Sequence, residues 1–190
     1  MTEFEFVFLL YALLLGLSLI ELLAGMGRAL ELKFASDAGG QSFKIGWLTP
    51  ALAVFVMLDL LSFWIFAWRV RDLMTVSALS LLAVMMFASS YYLAARLVFP
   101  SEPDRFADLD THYQRVKGVV MVILIALVGV QWLYLLSIES IRDGLLTPLA
   151  AGMTLVLVGL MAAVIFVRSP RWSLILLLLL VARYLVIYAL

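Results

Sequence analysis

Six apolar runs, each about as long as a lipid bilayer is thick, constrain this chain more than any other feature of its sequence. A hydrocarbon core of about 30 Å takes about 20 helical residues. Runs of that length lie near 6–26, 48–68, 73–99, 116–137, 146–167 and 172–190. A helix bonds its backbone groups within itself, as a lipid solvent demands. The expected fold class is therefore all-α: one polytopic membrane helix bundle of about six transmembrane helices over 1–190, with no loop long enough for a soluble domain. Composition agrees, since 66% of the chain is apolar and 14% charged, against about half and a quarter in soluble domains.

The same numbers narrow the chemistry. Thirteen basic and thirteen acidic residues cancel, so no global field recruits nucleic acid. Without cysteine, thiolate metal sites, iron–sulfur clusters and cysteine nucleophiles are out of reach. The single histidine, His112, cannot make a bis-histidine haem site or a histidine-rich metal centre. No phosphate-cradling glycine loop and no nucleophile elbow is present. No cofactor and no metal site is expected, and an enzyme is the weakest of the functional readings. The lipid bilayer is the expected partner, together with a second copy of the chain or a partner membrane subunit.

Basic residues in the short loops set the orientation. With the N-terminus outside, the inner loops hold Arg28, Lys33, Lys44, Arg96, Arg105, Arg115, Lys117, Arg168 and Arg171, against only Arg69, Arg71 and Arg142 outside. The positive-inside rule then places both termini on the non-cytoplasmic side, in a membrane read as a bacterial inner (plasma) membrane. Glu3 and Glu5 stand where a cleavable signal would be basic, so the first span is read as retained. Thr49-Pro50 and Thr147-Pro148 read as N-cap and first helical position of two spans. The helices flanking them do not align as a duplication.

Two inner connections carry further signals. Pro100 and Pro103 break the third span, and Phe106, Leu109, Tyr113 and Val116 follow at helical spacing, which predicts a short cytoplasmic interfacial helix near 104–115. Its polar face holds Asp104, Asp108, Asp110 and His112; acidic residues there complement a helix dipole without any metal. The stretch 29–46, with Gly39-Gly40, reads as a flexible surface loop. Gly152, Gly159 and Ala163, and Ala12 with Gly16, have spacings that allow close helix contacts.

The charges inside the spans demand explanation, because each costs about 2.5–3.5 kcal/mol at the bilayer centre. Asp59 lies about eleven residues, roughly 16 Å, into its span. Arg183 reaches a similar depth on a helix of the same direction, so the two are expected to pair near the midplane. Nearer the cytoplasm, Ser18, Glu21, Gly25 and Arg28 share one helix face. Arg96 shares a face with Ser89 and Tyr92, with Tyr91 beside them. Glu21 is thus expected to meet Arg96, with Tyr91 or Tyr92 donating to its carboxylate. Glu21, Asp59, Tyr91, Tyr92, Arg96 and Arg183 form the candidate proton or ion pathway of a small transporter. The alternative is a non-catalytic accessory or assembly subunit whose charged pairs hold helix register.

Overall fold

The computed structural model describes residues 3–39, 43–73, 77–102 and 108–189. Its elements are α1 (Glu3–Gly39), α2 (Leu48–Arg69), α3 (Ala78–Val98), α4 (Leu109–Leu136), α5 (Glu139–Leu145), α6 (Pro148–Phe166) and α7 (Pro170–Ala189), with one 3₁₀ turn at Arg71–Leu73. All but α5 are long and apolar enough to cross a membrane. The chain is a multi-pass membrane helix bundle.

Helix α2 is the hub. It packs on α1, α3, α4 and α7, while α1–α3, α3–α4, α4–α6 and α6–α7 close the outer contacts. It is also the most buried span, with 39% of its most apolar window inside the bundle. Leu52, Ala53, Phe55 and Val56 are wholly buried, so α2 is apolar on nearly every side, as a helix surrounded by protein and lipid must be. Any polar group on it has to be satisfied by neighbouring helices.

Helix boundaries differ from the sequence reading for local reasons. The stretch 29–46 is not a loop throughout, because α1 continues to Gly39. Ala29 is fully buried, and nothing from 29 to 38 is a proline or glycine to stop the helix. At 37 residues, α1 is about 55 Å long and must tilt or project beyond a 30 Å core. Helix α3 starts at Ala78 rather than near 73, because Ser77 and Ser80 form a reciprocal capping box: Ser80 N donates to Ser77 Oγ at 3.0 Å and Ser77 N to Ser80 Oγ at 2.8 Å. Of the interfacial segment, residues 103–107 lie outside the described residues. Leu109 to Val116 are not a separate element but the first two turns of α4. Leu109 and Tyr113 are buried in the core, and Asp108 caps the helix start by accepting from Asp110 N at 2.8 Å.

The opening turns of α4 also organise three other helix ends. Leu48 N donates to Asp110 Oδ1 at 3.1 Å, so an acid of α4 caps the start of α2. His112 Nε2 donates to the Leu97 carbonyl at the end of α3, 3.0 Å away; a carbonyl only accepts, so the hydrogen sits on Nε2. Lys117 Nζ donates to the Val167 carbonyl at the end of α6. An acid at a helix start and a cation at a helix end both have the sign the dipole favours. Asp110 and His112 therefore serve as caps.

This arrangement separates the two Thr-Pro motifs. Thr147 caps α6 as expected, accepting from Ala150 N at 3.4 Å. Thr49 does not cap α2: that helix begins two residues earlier, after Trp47, and Thr49 Oγ1 donates to the Leu109 carbonyl at 3.0 Å. Gly46 makes the approach possible. Its φ of +67° lies in the left-handed region, and the Asp110 carboxylate occupies the space a Cβ would take. The small residues differ too. A Cβ at Gly16, Gly152 or Gly159 would meet nothing within 4 Å, whereas one at Gly25 would come within 2.5 Å of the Phe99 ring. Gly25 alone of these marks a close approach within the chain.

Candidate functional site

Asp59 is the only acidic residue among the fully buried polar side chains described. It sits at mid-length on the hub helix α2. Tyr184 of α7 donates to Oδ1 at 2.6 Å, and Tyr91 of α3 lies 3.2 Å from Oδ2. The Tyr91 hydroxyl is also 2.6 Å from the Val56 carbonyl, one turn back on α2. Ser62 donates to the Asp59 carbonyl at 2.7 Å, and Tyr188, one turn beyond Tyr184, to the Leu58 carbonyl at 2.6 Å. Three helices thus meet at one carboxyl group, with Tyr91 at 0% and Tyr184 at 4% exposure.

Hydrogens in this cluster can be counted. Three oxygen pairs are in hydrogen-bond contact: Tyr184 with Oδ1, Tyr91 with Oδ2, and Tyr91 with the Val56 carbonyl. Two phenols supply two hydrogens. A third hydrogen is needed for each contact to have a hydrogen of its own, and a protonated carboxyl group would supply it.

Arg183 does not pair with Asp59. Its guanidinium donates through Nη2 to the Met153 carbonyl on α6 at 3.2 Å and lies 5.1 Å from the Tyr184 ring centroid. Its Nε is buried without a partner. The reason is angular: consecutive helical residues point about 100° apart. Ser173, Leu177, Leu180 and Tyr184 share the buried face of α7, so Tyr184 faces α2 and Arg183 turns toward α6. Arg183 thus lies one residue from the Asp59 partner Tyr184 yet bonds a different helix. The four-three-four spacing of that buried face was the sequence signal for Tyr184.

The Glu21 cluster is brought together. Arg96 Nε stands 3.5 Å from Glu21 Oε2, and Tyr92 donates to Oε1 at 3.4 Å. Arg96 Nη2 also donates to Ser101 at 2.8 Å. Arg28, on the same face of α1, keeps Nε buried and unpartnered. Adjacent tyrosines of α3 therefore serve two sites: Tyr91 turns to Asp59 on α2, and Tyr92 to Glu21 on α1.

At the end of the bundle opposite the α4 caps, a cavity of about 360 Å³ opens between α1, α2, α3 and α4. Tyr11, Phe63 and Phe87 line it. Phe63 stands edge-on to both Phe87, at 5.1 Å, and Tyr91, at 5.6 Å between ring centroids. One aromatic layer thus lies between this cavity and the Asp59 cluster. Among the described residues, no group of three or more histidines and carboxylates is arranged to hold a metal ion.

No protein-family model matches the chain, and neither a curated protein nor a solved structure is significantly similar to it.

Proposed function

We propose that this chain is a small membrane transporter with Asp59 as its proton-exchanging centre. The hydrogen count carries the reading: the cluster around Asp59 is complete when the carboxyl is protonated and one hydrogen short when it is not. In the protonated form the carboxyl donates to the Tyr91 oxygen, Tyr91 donates to the Val56 carbonyl, and Tyr184 donates to Oδ1. After proton loss, Tyr91 has one hydrogen for two acceptors. Either the carboxylate or the Val56 carbonyl then gives up its Tyr91 bond, and an under-satisfied buried charge is costly. Relief requires a shift of α3 against α2, or entry of water or a cation beside Asp59. Such a protonation-dependent contact between helices is the kind of two-state element a transport cycle needs. Because Tyr92 follows Tyr91 on α3, the same shift reaches the Glu21–Arg96 pair, which serves as a second charged site. The loop charges support both termini on the non-cytoplasmic side of a bacterial inner membrane.

Reconstitution into liposomes carrying an internal pH dye tests this. An imposed pH gradient should collapse faster with the wild-type protein than with empty liposomes, and Asp59→Asn should abolish the difference. A second reading, a non-catalytic accessory or assembly subunit, draws on the same cluster as a knot tying α2, α3 and α7. It takes over if the wild-type protein carries no flux under any proton or cation gradient.

A further inference from the structure

We propose that the cavity between α1, α2, α3 and α4 is a binding site for a neutral, planar aromatic molecule bearing an amide-like group. It deepens the transport reading by naming a substrate class, and rests on that reading for its role though not for binding. At about 360 Å³, the cavity falls at the small end of ligand pockets, about 300–1,000 Å³.

Its wall specifies chemistry. Phe8, Phe63, Phe66 and Phe87 contribute ring surface, and rings bind rings edge-on or offset more favourably than they bind aliphatic chains. No lysine, arginine, aspartate or glutamate lines it, so a charged ligand would be desolvated without compensation. Polar anchors are present nonetheless. Tyr11 is only 8% exposed and lines the cavity, and its hydroxyl forms no hydrogen bond with any described residue. Gln131 and Tyr134, three residues apart on α4, also line it, and their side chains are likewise unbonded among the described residues. A buried tyrosine hydroxyl ordinarily finds a partner, and an intramembrane amide ordinarily bonds a neighbouring helix. Here the buried Tyr11 and the half-buried Gln131 line the cavity instead, with the exposed Tyr134 beside them. A phenol and an amide together offer donors and an acceptor, which complements a ligand amide.

Binding of 2-naphthamide to the protein in nanodiscs, with empty nanodiscs subtracted, tests the site. Decanamide and 2-naphthoate serve as the aliphatic and anionic counterparts. Saturable binding of 2-naphthamide is expected, with both counterparts at least tenfold weaker. Tyr11→Phe and Gln131→Leu should each weaken it about tenfold, the effect of one lost buried hydrogen bond. Ala83→Phe, which fills the cavity from α3, should abolish it. Tyr11→Phe keeps the ring and hence the packing. The proposal is overturned if 2-naphthamide does not bind saturably, if decanamide binds as well and the cavity is a lipid-chain groove, or if Ala83→Phe leaves binding intact. Binding without proton flux would overturn the transport reading and leave the site standing. Flux without binding would do the reverse.

Discussion

Replacing Asp59 by asparagine separates a protonated carboxyl from an ionised one through stability alone. The asparagine amide would have a donor where the protonated carboxyl has its hydrogen, and an oxygen where Oδ1 accepts from Tyr184 at 2.6 Å. All three contacts then survive, and Asp59→Asn should change unfolding free energy by less than about 1 kcal/mol, the worth of one ordinary hydrogen bond. If the native group is instead a carboxylate, its bonds from Tyr184 and Tyr91 are charge-assisted, at about 1.5–3 kcal/mol each. Losing that charge should then cost the difference between two charge-assisted and two ordinary bonds, about 1–4 kcal/mol. Asp59→Leu gives the reference for losing the cluster, since it takes the acceptor from the buried Tyr184 phenol at about 1–3 kcal/mol, while Tyr91 keeps the Val56 carbonyl. Tyr184→Phe should cost about 1–3 kcal/mol in either case, because Oδ1 loses its 2.6 Å donor. The assay is reversible unfolding from mild detergent into dodecyl sulfate, followed by circular dichroism at neutral pH. An Asp59→Asn loss as large as that of Asp59→Leu would refute the hydrogen count.

Four further outcomes follow from the same geometry. Arg183→Gln combined with Asp59→Asn should depart from additivity by no more than about 1 kcal/mol, since the residues share Tyr184 but no hydrogen bond; coupling of about 3 kcal/mol or more in that double-mutant cycle would restore the ion pair. Asp110→Ala should cost about 0.5–2 kcal/mol as a lost cap, measured by the same unfolding assay, and a neutral result would show that Leu48 N finds water instead. Gly25→Ala should destabilise because its Cβ would reach within 2.5 Å of Phe99, with Phe99→Leu restoring part of the loss. Gly159→Ala, with nothing within 4 Å, should not destabilise. Cysteines placed at positions 2 and 189 should react with a membrane-impermeant reagent from the non-cytoplasmic side; labelling only from the cytoplasm would reverse the topology.

Periodicity and run length determined the architecture. A bilayer has a fixed thickness and no hydrogen bonds to offer, so six apolar runs of about 20 residues had little choice but to become six helices. Four did so within about five residues of the expected limits, while α1 runs on to Gly39 and α4 begins at Leu109. The Glu21–Arg96 contact was legible for a related reason: face and depth on two helices were read together, and both residues pointed the right way. What the runs left open was rotation and neighbourhood. Depth alone suggested Asp59 with Arg183, but a 100° step along α7 exchanges Arg183 for Tyr184, and that step depends on which helices pack together. The caps on α2, α3 and α6 were hidden likewise. Asp110, His112 and Lys117 lie within a few residues of one another on α4, yet each satisfies the end of a different helix. Only tertiary structure decides such pairings, because a polar group in an apolar medium bonds to whatever the packing brings within about 3 Å, and sequence distance places no limit on that choice.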